Sequence, residues 1–224
     1  YFFINNLKKI ELIKNKFILK NTEILPKPLV SINGLSLISR IIISLNKTDL
    51  FSCFHILTCC DEGLFKKVLN KEISTIKYAI HNEVNRSGRI GAIQNFLESE
   101  IDIKDFFVCN GDTIFNKLIA SEIKEPIKAL NPKPITYLAM PDPSRDDYKS
   151  IFFGDKDKRV EYQNSGLFFM NRDWFNKSIM KNPGFKDIDD HLFQKESSKV
   201  SLLSTTLLDA GTPERLSHIR SSIN

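Results

Sequence analysis

The run Phe106-Phe107-Val108-Cys109 is followed at once by Asn110-Gly111-Asp112. Apolar residues ended by an Asn-Gly breaker have the pattern of a buried strand, which puts the Asp112 carboxylate just beyond its carboxyl end. In open α/β sheets, ligands bind beyond the carboxyl ends of strands. A carboxylate there can hold Mg²⁺ against a phosphate, because that ion prefers oxygen donors and takes only one or two carboxylates from a protein. The same three residues would also serve as a plain polar turn, so the assignment depends on what else converges on them. Other reactive side chains lack such a setting. His55, His81, His191 and His218 show no spacing for metal ligation or a triad and read as structural. Cys53, Cys59, Cys60 and Cys109 form no Cys-x-x-Cys pair, and read as buried thiols of a reducing compartment.

A chain of 224 residues can bury a full core, as one large domain or two small ones. Its net charge of +5 comes from lysines scattered along the chain. Nucleic-acid binding favours a clustered basic face, so nucleic acid is not an expected partner, whereas a small polyanion such as a nucleotide is compatible with the charge. No secretory leader and no apolar run long enough for a bilayer is present, which predicts a cytoplasmic protein without a membrane partner.

The elements that must position Asp112 are legible as alternating patterns. Tyr1 to Ile4 read as a first strand, and residues 7–25 as a lysine-dotted stretch without glycine. Pro26-Lys27-Pro28 to Asn33-Gly34 is an extended segment closed by a turn. Leu37, Ile38, Ile41, Ile42 and Leu45 recur at helical spacing. Strands at Cys53–Thr58, Ile76–Ile80 and Phe106–Cys109 alternate with helices at Leu64–Leu69 and from Ala92 to Leu97, the rhythm of βαβ units and a largely parallel sheet. After Pro132 the rhythm changes. Strands at Ile135–Met140, Ile151–Phe153, Gly166–Met170 and Val200–Leu208 predict a mixed second half, with helices starting at Trp174 and over Ile188–Gln194. Thr212-Pro213 opens a last helix, Thr as N-cap and Pro at the first helical position. Asp142 to Asp147 reads as a solvated turn. There are no repeats or linkers, so residues 1–224 are expected to be a single domain.

Taken in order, Pro26-Lys27-Pro28-Leu29, Asn33-Gly34, Gly88…Gly91-Ala92, Asn110-Gly111-Asp112, Asn164-Ser165-Gly166-Leu167 and Asp209-Ala210-Gly211-Thr212-Pro213-Glu214 resemble the sugar-1-phosphate nucleotidylyltransferases. The nearest look is to the heptose-1-phosphate guanylyltransferase and glucose-1-phosphate thymidylyltransferase branches, over nearly the whole chain. The resemblance implies a three-layer, Rossmann-like α/β fold with a mostly parallel, mixed sheet of the nucleotide-diphospho-sugar transferase type. Residues 1–131 would form its nucleotide-binding half and 132–224 its sugar-binding half. It implies transfer of a nucleoside monophosphate from a nucleoside triphosphate to a sugar 1-phosphate, for surface polysaccharide synthesis. Such chemistry needs no protein nucleophile, only positioning and charge neutralisation. By the same resemblance Asp112 and Asp209 are the metal ligands for Mg²⁺, and Lys27 and Asp112 the catalytic pair, Lys27 touching phosphate. Gly88 and Gly91 would let a base or ribose approach the backbone, Asn110 and Gly111 would line the nucleotide site, and Asn164 would lie near the sugar. A homo-oligomer or a partner enzyme stays open.

The chain also departs from that family. Its glycine-rich phosphate loop should follow the first strand, but Asn5-Asn6-Leu7-Lys8-Lys9 stands there and no glycine occurs before Gly34. Bare backbone N–H groups wrap a polyanion in a way that lysine point charges do not reproduce. The Glu-Lys-Pro segment is missing between Val160 and Asn164, Lys149 stands for a glycine and Arg89 for a threonine. The alternative function is therefore an inactive relative that binds nucleotide, sugar or a partner enzyme. A glycosyltransferase ranks last, because Asn110-Gly111-Asp112 supplies one carboxylate where an Asp-x-Asp pair would supply two.

Overall fold

The structure, a computed structural model, describes residues 25–83, 88–128, 134–140, 151–153, 160–181, 199–210 and 212–222. The expected strand at Tyr1–Ile4, the lysine-dotted stretch before Leu25, Asp142 to Asp147, Lys149 and the helix over Ile188–Gln194 lie outside them.

A 3-10 turn over Lys27–Leu29 leads into a two-residue hairpin, β1 (Ser31–Ile32) and β2 (Leu35–Ser36). Asn33 and Gly34 at its tip both take positive φ, 47° and 86°, as the turn that matches strand twist demands. Ser36 then caps α1 (Leu37–Asn46), its Oγ accepting from the Ser39 N–H. The helix buries the apolar stripe read from the sequence, Leu37, Ile38, Ile41, Ile42 and Leu45. Next come β3 (Phe54–Thr58), α2 (Glu62–Glu72) and β4 (Tyr78–Asn82), with β3 and β4 parallel. The chain continues through α3 (Gly88–Ser99), β5 (Asp105–Cys109), β6 (Thr113–Phe115), the short α4 (Ala120–Lys124), β7 (Ile135–Met140) and β8 (Ile151–Phe153). It closes with β9 (Val160–Asn171), α5 (Arg172–Lys181), β10 (Lys199–Asp209) and α6 (Pro213–Ser222).

The larger sheet has the order β5-β9-β7-β10-β6, with β8 paired to β9. It is mixed, and its balance differs from the expectation. Among the described pairings only β3–β4 and β7–β10 are parallel, and all those of β9 are antiparallel. The cause is β9, which runs between β5 and β7 against both and inserts the second half of the chain beside the first. Ile41, Ile42, Phe96 and Phe107 are among the residues of α1, α3 and β5 that, with β3, line a cavity of about 410 Å³.

Helices cover both faces. Ile41, Leu45, Leu216 and Ile219 from α1 and α6 pack with Tyr137, Leu167, Phe169, Leu203 and Leu207 of the sheet. On the other side Ile93, Phe96 and Leu97 of α3 meet Val108, Phe168, Met170 and Phe175. The α5 helix begins at Arg172 and not at Trp174, because Asn171 Oδ1 accepts from the N–H groups of Asp173 and Trp174 and so caps it earlier. The α6 start agrees with the sequence: the Arg215 N–H donates to Thr212 Oγ1 at 3.3 Å. No helix among the described residues is long and apolar enough to cross a membrane.

Candidate functional site at the carboxyl end of β5

The strand β5 ends where the sequence said, and Asn110 to Asp112 turn sharply into β6. The tightness of that turn depends on a distant segment. Across β7 the register of β9 slips, Tyr137 facing Leu167 while the next residue, Leu138, faces Asn164. Ser165 and Gly166 are therefore bulged out of the ladder. Ser165 Oγ stabilises the bulge by donating to the Tyr137 carbonyl at 2.6 Å and accepting from the Leu167 N–H at 3.1 Å. Asn164 Oδ1 accepts from the Gly166 N–H at 2.9 Å. The bulge presses Gly166 against the turn: its carbonyl accepts the Asn110 N–H at 2.9 Å. A Cβ on Gly166 would lie 2.5 Å from Asn110 Nδ2, and its φ is +70°. Only glycine fits there.

Lys27 arrives from 85 positions earlier in the chain. Its 3-10 turn is held by the Leu29 N–H on the Pro26 carbonyl, and the burial of Pro28 and Leu29 anchors it. The Lys27 ammonium donates to Asp112 Oδ2 at 2.8 Å, with the two side chains 20% and 35% exposed. The pair is open enough to exchange partners with a ligand. Arg89, in the first turn of α3, brings its guanidinium to 3.5 Å from Asn110 Oδ1. Gly88 just before it has φ +79°, a backbone shape that favours glycine. Gly91 falls inside the first turn of α3, and Gly111 is buried in the turn after β5.

Asp209 is placed by register. It ends β10 directly opposite Thr113 in the antiparallel β10–β6 pair, and the next residue, Ala210, donates its N–H to the Asp112 carbonyl at 3.0 Å. The backbones of Asp112 and Asp209 thus lie on neighbouring strands at the same rim of the sheet. Of the sequence-derived residues, Lys27, Asn110, Gly111, Asp112, Asn164 and the Asp209 backbone are brought together, and Arg89 joins them. Arg89 stands out in the sequence only as a departure from the family, and nothing in its spacing links it to Asn110, 21 positions away. As a metal donor, the Asp112 carboxylate offers the hard oxygen that Mg²⁺ takes, and the Lys27 ammonium and Arg89 guanidinium are cationic groups suited to a phosphate.

His55 and His81, which no sequence spacing links, lie on adjacent strands with Nδ1 of the first 2.9 Å from Nε2 of the second. Gln163, one residue before Asn164, is 1% exposed, and neither polar atom of its amide has a hydrogen-bond partner among the described residues.

No family model matches the sequence, and no curated protein does. Solved structures do match. HddC from Yersinia pseudotuberculosis superposes with a TM-score of 0.67 at 20% identity, covering 89% of this chain and 91% of its own. A putative glucose-1-phosphate thymidylyltransferase from Bacillus anthracis, in complex with a sucrose, gives 0.70 at 15% identity, over 93% and 91%. The inositol-1-phosphate CTP transferase from T. maritima gives 0.65 at 18% identity, over 94% and 92%. Sharing their architecture over 89–94% of its length, the chain has the nucleotide-diphospho-sugar transferase fold.

Proposed function

We propose that this protein is a sugar-phosphate nucleotidylyltransferase, acting on a nucleoside triphosphate and a sugar 1-phosphate. The observation that carries the reading is the Lys27–Asp112 pair at the carboxyl end of β5, with the Asp209 backbone on the adjoining strand. The nucleotidyltransferase names of the structural neighbours support the same reaction class. A complex of HddC with GMP-PN shows a nucleotide-type ligand on one of these folds.

In the reaction a phosphate oxygen of the sugar 1-phosphate forms a bond to the α-phosphorus, and the bond from that phosphorus to the bridging oxygen breaks. Pyrophosphate leaves with the electron pair. Asp112 and Asp209 would hold Mg²⁺, which when bound neutralises phosphate charge. Lys27, flanked by prolines that keep its backbone from swinging, aims its ammonium across the rim, where it can pass from carboxylate to phosphate. Arg89 and Asn110, 3.5 Å apart, would meet further ligand oxygens. Asn164, at the β9 bulge, would lie near the sugar. The product would serve surface polysaccharide synthesis in the cytoplasm.

Incubation with Mg²⁺, a panel of nucleoside triphosphates and a panel of sugar 1-phosphates tests this, with pyrophosphate release as the readout. Release from at least one pair, abolished in Asp112→Asn, is the expected result. No release from any pair, with nucleotides still raising the melting temperature, would instead establish the inactive binding relative.

A further inference from the structure

The two histidines on β3 and β4 have a third neighbour. In the parallel register His55 faces Ala79 and Leu57 faces His81, so the two imidazoles form a diagonal pair on one face of the strands. That face is the one covered by α3. Phe96 packs against both rings, with centroids 4.9 Å and 5.0 Å away. One turn later Glu100 follows the end of α3, its N–H bonded to the Phe96 carbonyl at 2.9 Å. One donor atom each from His55, His81 and Glu100 lies within 4.8 Å of the others.

We propose that His55, His81 and Glu100 form a site for a divalent ion of the zinc class, its fourth position open to water, that clamps the β3–β4 pair to the carboxyl end of α3.

Two imidazoles and a carboxylate are a donor set that zinc uses, and a tetrahedral ion with bonds of about 2.0–2.1 Å needs nitrogens roughly 3.3 Å apart. The observed 2.9 Å needs only a few tenths of an ångström of widening. All three residues are half-buried, so water can reach the remaining position. The Glu100 carboxylate favours a cation there and the Lys77 ammonium opposes it. The carboxylate arrives on a fixed frame. Arg172, at the start of α5, donates to the carbonyls of Leu97, Glu100 and Ile101 at 2.6–2.9 Å and so pins the end of α3. The site is separate from the Lys27–Asp112 rim. The helix α3 starts at Gly88, beside the Arg89–Asn110 contact, and its 12 residues carry the chain about 18 Å before Glu100.

The test uses the whole chain, stripped with a chelator and titrated with Zn²⁺ by calorimetry, with Co²⁺ absorption reporting coordination geometry. The expected result is one high-affinity ion per chain and a tetrahedral cobalt spectrum. Zn²⁺ should also raise the melting temperature. His81→Ala and Glu100→Ala should each lower Zn²⁺ affinity at least roughly tenfold. Glu100→Ala sits on a partly exposed helix end, so it reports even where the histidine variant folds poorly. Asp112→Asn should bind Zn²⁺ as the parent does. Absence of stoichiometric binding, affinity unchanged in Glu100→Ala, or binding lost in Asp112→Asn would each overturn the proposal.

Discussion

Replacing Gly166 by Ala perturbs the one contact through which the β9 bulge shapes the turn after β5. An alanine Cβ would meet Asn110 Nδ2 at 2.5 Å, its Cγ at 2.7 Å and its Cβ at 2.8 Å, while φ stays at +70°. Left-handed backbone costs a non-glycine residue about 1–2 kcal/mol. Forcing a methyl into a filled space costs about 1–3 kcal/mol more. The stiffer unfolded chain returns about 0.4–1 kcal/mol. The net expectation is a loss of about 1–5 kcal/mol, read as a shift of the urea midpoint without a change in slope. A double-mutant cycle separates the causes. Asn110→Ala removes Nδ2 and Cγ but keeps Cβ, so Gly166→Ala should cost less in its presence, and a backbone share should remain. The turn that carries Asp112 should move with Asn110, so the loss of stability should come with a larger loss of nucleotide affinity. A Gly166→Ala protein within about 0.5 kcal/mol of the parent would refute the reasoning, since neither the strain nor the close approach would then be real.

Three further outcomes follow from the geometry. Lys27→Met should change stability by less than about 1 kcal/mol, because the Asp112 pair is partly exposed and screened, yet lower turnover about 10²–10³-fold through loss of a positioned charge; steady-state kinetics beside urea unfolding checks both halves. Gln163→Leu should raise stability by about 1–3 kcal/mol, because the apolar side chain removes a buried amide with no partner, and a lower urea midpoint would count against it. His55 should make stability depend on pH: its folded value is lowered from 6.5 by burial first and His81 second, so its contribution is complete above about pH 6.5 and lost as pH falls through the lower folded value. Melting temperatures across that window should fall with acid, and His55→Gln should flatten the fall.

Local order was readable from residue types alone. The period of Leu37 to Leu45 defined α1, the apolar run before Asn110 defined β5, and Thr212-Pro213 defined the start of α6, because each depends on neighbours within one turn or one strand. The same patterns placed Asp112 at a strand end. What they could not carry is partnership. Lys27 and Asp112 meet across 85 positions, and Asn110 fits under Gly166 only because β9 slips its register against β7. The imidazoles of His55 and His81 became neighbours through parallel pairing of two strands that each look unremarkable alone. Strand order, bulges and side-chain meetings of this kind are decided by how whole layers bury their apolar faces, a sum over distant residues that no local spacing records.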